Sequence, residues 1–185
     1  TAELVEAAIR PNDPYSIQTA LICIENTHNA GGGTVYPLAT IQAIRKVASA
    51  HGLPMHLDGA RLFNAVVASG VSAAEYAQHF DTVTFCLSKG LGAPAGSLIA
   101  TDDRLRLERI RRLRRMYGGA MRQAGILAAA GLYALEHNIQ RLADDHAHAR
   151  QLAARLQQIP GISIDPDTVD TNILFFDVVD AQWSA

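Results

Sequence analysis

Lys89 is the side chain that most directly indicates chemistry, because it follows an uncharged run and precedes a glycine-rich turn. Residues 82–87 are all β-branched, aromatic or apolar, which predicts a strand buried on both faces of a parallel sheet. Glycines 90, 92 and 96 let the backbone come close to a bound group. We expect desolvation beside the sheet to favour the neutral amine, which can attack a carbonyl group to form a Schiff base. The alternative is a lysine that extends from the strand end into solvent.

Two further side chains suited to proton chemistry follow predicted strands. His28 comes shortly after the apolar run 21–24, and Asp58 closes the strand 55–57. Open parallel sheets bind ligands beyond the carboxyl ends of their strands, so we expect His28, Asp58 and Lys89 to meet at one edge. A lysine for imine formation, a carboxylate that keeps a ring nitrogen protonated and an imidazole for proton transfer together suit pyridoxal 5′-phosphate.

The elements that position these residues follow from the apolar spacing. In the first half it predicts helices over 2–10, 40–50, 62–68 and 73–79, and strands over 21–24, 55–57, 82–87 and 97–100. Alternating strands and helices indicate a parallel α/β sheet with right-handed crossovers. The strand 97–100 should be antiparallel, because too few residues separate it from the strand 82–87 for a crossover helix. Asp58 and Arg61 are three apart, and we expect them to share a face on the first turn of a helix.

The second half is predicted to contain helices over 103–117, 124–136 and 139–158, and short strands over 162–164 and 173–178. The first helix has seven arginines between Arg104 and Arg115. Its arginines lack interleaved aromatic residues, and the formal net charge of the chain is −2, so we expect a solvated face or a subunit contact and no nucleic-acid partner.

Four polar side chains of the third helix are of types that bind metals: Asp144, Asp145, His146 and His148. No further ligand follows at a suitable spacing, and a polar helix face explains them, so we expect no metal site. Cys23 and Cys86 both fall inside predicted buried strands, where we interpret them as small core residues with no disulfide.

Composition favours a globular protein, since 49% of its 185 residues are hydrophobic, enough for a sizeable core. The most span-like stretch, residues 124–135, is too short to cross a membrane. Acidic residues near the amino terminus do not fit a secretory signal, so we expect a cytoplasmic protein with no membrane partner.

Four motifs, in order, resemble the low-specificity L-threonine aldolases of the aromatic amino acid β-eliminating lyase/threonine aldolase family: residues 25–29, 56–65, 86–94 and 118–125. The resemblance extends from about residue 4 to 178. It implies the aspartate-aminotransferase-like fold of type I pyridoxal phosphate enzymes. Residues 1–137 would belong to the large cofactor-binding domain and 138–185 to the small carboxy-terminal domain.

The resemblance also implies roles. Lys89 would carry the cofactor as a Schiff base, and Asp58 would face its pyridine nitrogen. Arg61 would bind the substrate carboxylate or orient the cofactor, His28 would lie near the substrate β-hydroxyl, and Arg122 would reach the phosphate across a dimer interface. The implied reaction cleaves L-threonine or L-allo-threonine to glycine and acetaldehyde, in a homodimer or homotetramer.

Other readings remain open on the sequence. The same cofactor supports β-elimination or hydroxymethyl transfer, and the fold could serve as a non-catalytic domain. The family's amino-terminal phosphate-binding turn and its carboxy-terminal substrate-binding arginine have no counterpart among these residues. We therefore expect the sequence to be a fragment of a longer enzyme.

Overall fold

The computed structural model describes residues 1–180, and its main sheet has four strands in the order β1-β2-β3-β4. The strands are β1 Ile22–Glu25, β2 Met55–Gly59, β3 Thr82–Cys86 and β4 Ser97–Ala100. β1, β2 and β3 are parallel, and β4 is antiparallel to β3. The predicted topology is confirmed, and the short connection between β3 and β4 explains the reversal of direction.

The helices of the described residues lie close to their predicted positions. They are α1 Ala2–Ala8, α2 Leu38–Ala50, α3 Leu62–Ser69, α4 Ala73–Ala77, α5 Arg104–Met116, α6 Gly125–His137 and α7 Leu142–Leu156. Local chemistry explains where some of them begin and end. Gly70 adopts the left-handed conformation, φ 73°, that stops α3. Ser72 and Glu75 then form a capping box that starts α4.

One side of the sheet, called here the core face, is covered by α1 to α4. It consists of the side chains that alternate inward along β1, β2 and β3: Ile22, Ile24, Met55, Leu57 and Val83. Met55 and Leu57 are 0% exposed. From the helices, Ile41, Ile44, Leu62, Ala65 and Tyr76 complete this cluster. One apolar cluster therefore joins the three parallel strands to the helices that cover them.

The opposite side of the same strands, called here the open face, is polar. It consists of Cys23, Glu25, His56, Asp58, Thr82 and Thr84, all half-buried or exposed. Cross-strand contacts order part of it, because the His56 Nδ1 lies 2.7 Å from the Thr82 Oγ1. Two predictions are therefore wrong for the described chain. The strand β3 is not buried on both faces, because Val83 is its one buried side chain. The cysteines are not core residues, because Cys23 is exposed and Cys86 is half-buried.

Asp81 fixes the amino edge of the sheet, where β2 and β3 begin. Its carboxylate accepts hydrogen bonds from the Arg45 Nη1 at 2.8 Å and the Met55 N–H at 2.9 Å, and the Arg106 Nη2 lies 3.4 Å away. Burial by itself would raise the pKa of Asp81, but the Met55 N–H and the two guanidinium groups outweigh it and lower that pKa. One carboxylate thus joins α2, α5 and the sheet.

The carboxy-terminal part of the described chain packs through α6 and α7. Ala134 of α6 and Leu142 of α7 contact the turn after β3 at Leu87, Leu91 and Ala93. Beyond α7 come β5 Ile162–Ser163, a 3-10 helix Pro166–Thr168 and β6 Asp177–Val178, with β5 antiparallel to β6.

The predicted strand 173–178 is wrong for most of its length, because it pairs only at its end. The residues just before it follow a different path. Thr171 Oγ1 donates to the Gly33 carbonyl at 2.6 Å, and Asp170 accepts from the Val35 N–H at 3.2 Å. This segment is therefore anchored to the loop after β1 and not to a sheet.

α5 carries the seven arginines and has no buried residue in the described chain. Arg106 is the arginine of this helix that reaches Asp81, while residues 111–120 are all exposed. Within residues 1–180, none of the helices combines the length and apolarity needed to cross a bilayer.

Candidate active site

The register of the sheet brings the predicted site residues to its carboxyl edge. Glu25 pairs with Asp58, and Asp58 pairs with Thr84. β1 therefore ends opposite Asp58, β2 ends one residue later at Gly59, and β3 continues to Cys86 before the turn that holds Lys89. His28 and Lys89 follow the carboxyl ends of β1 and β3, and Asp58 is the penultimate residue of β2 between them. Ligands bind at this edge in open sheets of this kind.

A closed loop after β1 positions His28. The His28 N–H donates to the Thr34 carbonyl, and the Gly33 N–H donates to the His28 carbonyl, each at 2.9 Å. Gly33 has φ 75°, and a β carbon on it would lie 2.5 Å from the Thr171 Oγ1. Only glycine fits there, because both the backbone conformation and the space exclude a side chain. This loop, residues 28–34, is called here the glycine loop.

The His28 imidazole is half-exposed beside Glu25. Its Nε2 lies 3.7 Å from the Glu25 Oε2, and the Glu25 Oε1 accepts the Asn29 N–H at 3.1 Å. Gly31 leaves room for the ring, since a β carbon there would lie 2.5 Å from the His28 Nδ1. The imidazole is thus held at the rim of the edge by a carboxylate on one side and a glycine on the other.

Asp58 lies on the open face at the end of β2. It is exposed, and its Oδ1 accepts the Ala60 N–H at 3.1 Å. Asp58 and Cys23 lie on the same side of the sheet, because Cys23 pairs with His56, two residues before Asp58. Burial and the nearby Asp58 carboxylate raise the pKa of the Cys23 thiol.

Arg61 reaches the same edge by a different contact from the predicted one. Asp58 belongs to β2 and not to a helical turn, so the expected shared helix face with Arg61 is wrong. Arg61 precedes α3, and its Nη1 donates to the Asn29 Oδ1 at 2.8 Å. The guanidinium therefore links the start of α3 to the glycine loop that carries His28.

Lys89 sits in a turn whose backbone is fixed by three hydrogen bonds. The Leu87 N–H donates to the Gly96 carbonyl, the Gly92 N–H to the Lys89 carbonyl and the Ala93 N–H to the Leu87 carbonyl, at 2.9–3.0 Å. The Lys89 side chain itself is exposed. The expected desolvation of the lysine is therefore not observed in the described chain. Hydrogen bonds fix the backbone of the turn, and the side chain extends from it into solvent.

Arg122 makes no contact with the other predicted site residues in the described chain. It belongs to the exposed connection between α5 and α6. Its guanidinium has no hydrogen bond or ion pair within residues 1–180. The structure thus brings His28, Asp58, Arg61 and Lys89 to one edge and does not join Arg122 to them.

His146 differs from its prediction as part of a polar helix face. It is 3% exposed, and its Nε2 lies 3.0 Å from the Asn64 Nδ2. Asn64, in the motif 56–65, was given no role from the sequence. No group of three or more His, Cys, Asp or Glu side chains in the described range is arranged to hold a metal ion.

Two buried polar atoms near β1 were also missed. The Asn26 Nδ2 and Thr27 Oγ1 are buried with no hydrogen-bond partner among the described residues. Asn26 Oδ1 accepts the Tyr36 N–H at 3.1 Å, which ties the exit of β1 to the end of the glycine loop. The signal that could have found them is their position directly after an apolar strand.

A model of the family described as "Beta-eliminating lyase" matches residues 1–180 of this chain. The chain belongs to the beta-eliminating lyase family. Low-specificity L-threonine aldolase 1 from Arabidopsis thaliana is 43% identical over 184 residues, which cover 97% of this chain and 51% of the relative. The low specificity L-threonine aldolase of Escherichia coli K12 is 44% identical over 181 residues, or 98% of this chain and 52% of the relative. This beta-eliminating lyase chain thus spans about half the length of the curated relatives it matches.

Solved structures agree on the fold. The structure of Leishmania major threonine aldolase matches with a TM-score of 0.69 and 24% identity, over 88% of this chain and 48% of that one. The beta-eliminating lyase chain therefore has the α/β fold that the sequence predicted.

In this beta-eliminating lyase chain, the two edges of the sheet differ in the cavities beside them. A cavity of about 430 Å³ is lined by Arg10, Thr19, His51 and Leu53 among others, so it lies where β1 and β2 begin. Beside the glycine loop lies a smaller cavity of about 150 Å³, lined in part by Gly32 and Phe175. The carboxyl edge itself is an open rim in the described chain, with Asp58 and Lys89 both exposed.

Proposed function

We propose that this chain contributes the central part of a pyridoxal phosphate-dependent threonine aldolase, which cleaves L-threonine or L-allo-threonine to glycine and acetaldehyde. The observation that carries the proposal is the arrangement of His28, Asp58 and Lys89 at the carboxyl ends of three adjacent parallel strands. The names of the curated relatives support the choice of reaction.

The residues present at the carboxyl edge fit this cofactor. Pyridoxal phosphate requires an amine for its aldehyde and a carboxylate for its ring nitrogen. Lys89 and Asp58 offer these groups in exposed positions. Neither side chain is bound by another side chain of the described residues, so both are available to a ligand. Arg61 adds a cation at the same edge, where its contact with Asn29 holds it.

The chain's own residues would divide the work as follows. Lys89 Nζ holds the cofactor aldehyde, Asp58 keeps the proton on the ring nitrogen, and Arg61 binds the substrate carboxylate or orients the cofactor. Arg122 binds the phosphate, from a second subunit. When bound, the cofactor supplies an electron sink for the pair released as the bond to Cα breaks. The His28 imidazole accepts the β-hydroxyl proton, directly or through a water, which is commonly worth about 10²–10⁴-fold in rate.

Reduction with borohydride tests the attachment point. In the full-length protein loaded with cofactor, we expect mass spectrometry to find a reduced pyridoxyl phosphate group on the peptide containing Lys89. The chain has one other lysine, Lys46, on the exposed side of α2, so Lys46→Arg is the matched control and should leave labelling unchanged. Labelling of Lys46 alone, or of neither lysine, would contradict the proposal.

The role of His28 has its own test. His28→Ala should slow acetaldehyde release from threonine by about 10²–10⁴-fold while Lys89 labelling persists, because the base is lost and the attachment is not. His51→Ala is the control, since His51 is an exposed histidine at the end of α2. Unchanged turnover in His28→Ala would remove His28 from the proton transfer.

The family description favours one second candidate, β-elimination from a β-substituted amino acid. The same Lys89 and Asp58 would serve that reaction, and the products separate the two. Acetaldehyde without ammonia supports the aldolase, whereas ammonia and a keto acid would support the lyase.

We also propose a division of the chain at residues 1–137 and 138–185, a homodimer or homotetramer, and a cytoplasmic location. Exposed apolar side chains near the end of α5 and the start of α6 support an assembly, since Tyr117 is 81% and Ile126 is 84% exposed. Free Cys23 and Cys86 thiols fit a reducing compartment. Light scattering of the full-length protein and cell fractionation test the assembly and the location.

A further inference from the structure

A buried pair of uncharged side chains joins α3 to α7. Asn64 is 2% exposed, His146 is 3% exposed, and the Asn64 Nδ2 lies 3.0 Å from the His146 Nε2. An amide nitrogen can only donate, so the ring nitrogen must accept. This contact therefore requires a neutral His146 that carries its proton on Nδ1.

The surroundings of His146 favour that neutral form. Burial lowers the pKa of the imidazole, Arg150 lowers it further, and Asp145 opposes the change. Both charged residues belong to α7, and α3 presents the uncharged Asn64. The acceptor state is thus maintained until the pH falls through the lowered pKa.

The Asn64 amide also lies beside Gly90, the residue after Lys89, with its Oδ1 nearer than its Nδ2. A β carbon on Gly90 would lie 3.4 Å from the Asn64 Oδ1 and 2.7 Å from the Leu142 Cδ2. Leu142 stands one helical turn before His146 on α7. Gly90 is therefore enclosed between α3 and α7, and the buried pair holds the two helices that enclose it.

A second amide holds the same turn from the end of α6. Asn138 Nδ2 donates to the Leu91 carbonyl at 2.7 Å. Gly131 of α6 also approaches closely, since a β carbon there would lie 2.8 Å from the Leu87 Cδ1. The backbone around Lys89 is thus fixed from three helices while the lysine side chain stays exposed.

We propose that Asn64 and His146 are positioning residues for Lys89. Their buried hydrogen bond holds α7 against the turn after β3 and so determines the position of the lysine amine. The inference rests on the proposed function of Lys89. Protonation of His146 would put hydrogen on both ring nitrogens and remove the acceptor. To accept the new Nε2–H with its Oδ1, the Asn64 amide would have to turn over and bring its NH2 group to the position nearer Gly90, and we expect this exchange to loosen the turn.

Hydrogen exchange of the full-length protein tests the pair without relying on activity. His146→Leu removes the acceptor at similar volume, and His146→Gln retains a neutral acceptor that does not titrate. A buried donor left without a partner costs enough to lower protection of the amides of residues 90–92 by about tenfold in His146→Leu. His146→Gln should restore protection to within about threefold. His148→Leu, at an exposed position of the same helix, is the matched control.

The wild-type protein supplies a second arm in case His146→Leu does not fold. Protection factors at residues 90–92, corrected for the intrinsic exchange rate, should fall as the pH drops through the His146 pKa, and they should stay level in His146→Gln. In the loaded enzyme we expect a lower kcat at constant KM for His146→Leu.

Three results would overturn the positioning role. They are unchanged protection at residues 90–92 in His146→Leu, an equal loss throughout α3 and α7, and a pH response that persists in His146→Gln. Failure of the proposed function would look different, because borohydride would then leave Lys89 unlabelled in the wild-type protein whatever the exchange data show.

Discussion

The two faces of the parallel strands carry opposite kinds of side chain, although they alternate along the same backbone. Leu57 is 0% exposed on the core face, and Asp58, the next residue, is exposed on the open face. The core face meets α1 to α4, whereas the open face carries Cys23, His56 and Thr84. The core face therefore specifies the fold, whereas the open face presents polar side chains, with Asp58 of the candidate site at its carboxyl edge.

Leu57→Ala should produce the largest effect, a loss of about 2–5 kcal/mol in the free energy of unfolding, because the cavity it leaves is surrounded by packed side chains. Denaturant unfolding followed by circular dichroism measures it. A loss below about 1 kcal/mol would mean that the core face does not stabilise the fold more than the open face does.

Asp58→Ala tests the other side of the same strand. We expect threonine cleavage to fall by about 10²–10³-fold, as when a preorganised electrostatic partner is removed. The free energy of unfolding should change by no more than about 1 kcal/mol, because Asp58 is exposed and accepts one hydrogen bond from Ala60. The control is Asp102→Ala, another exposed carboxylate. A large loss of stability with little loss of activity would reverse the assignment of the open face.

Asp81→Asn should destabilise the fold by about 1.5–3 kcal/mol at neutral pH, since it removes charge-assisted hydrogen bonds at the amino edge. The folded-state pKa of Asp81 is lowered, so its contribution is complete above the ordinary carboxyl pKa and is lost as pH falls through the lowered value. The stability difference between wild type and variant should therefore shrink in acid. A difference that stays constant from neutral pH to pH 3 or so would show that the charge is not responsible.

Cys23 offers the smallest and most local test of the open face. Cys23→Ala should change the free energy of unfolding by less than about 0.5 kcal/mol, as expected at an exposed position. Burial and Asp58 raise the thiol pKa, so Asp58→Asn should make Cys23 react faster with a thiol reagent at neutral pH. Equal reaction rates would show that the two side chains do not share a face.

Local patterns were enough to predict most elements and their order. The apolar spacing of α2 and the uncharged run of β3 each indicate one element, and the short connection after Lys89 indicates an antiparallel β4. These signals also indicate that His28, Asp58 and Lys89 lie at the carboxyl ends of neighbouring strands, where the candidate site is.

Contacts between distant residues were not predictable from those patterns. In the run 21–24 every side chain is apolar, so the sequence does not tell that Cys23 faces the open side. Buried His146 forms a hydrogen bond with Asn64, 82 residues earlier in the chain, and Arg61 forms one with Asn29, 32 residues earlier. Which helix covers which face depends on tertiary packing that no local period records.

The bond from Thr171 to the Gly33 carbonyl joins residues 138 positions apart. Translation at about 5–20 residues per second separates the synthesis of its two ends by roughly 7–28 s. On the ribosome, the segment holding His28 therefore exists for that time without its anchor, after the strand that precedes it has been made. Assembly of the rim is in this sense a late event of biosynthesis, completed from the far end of the polypeptide.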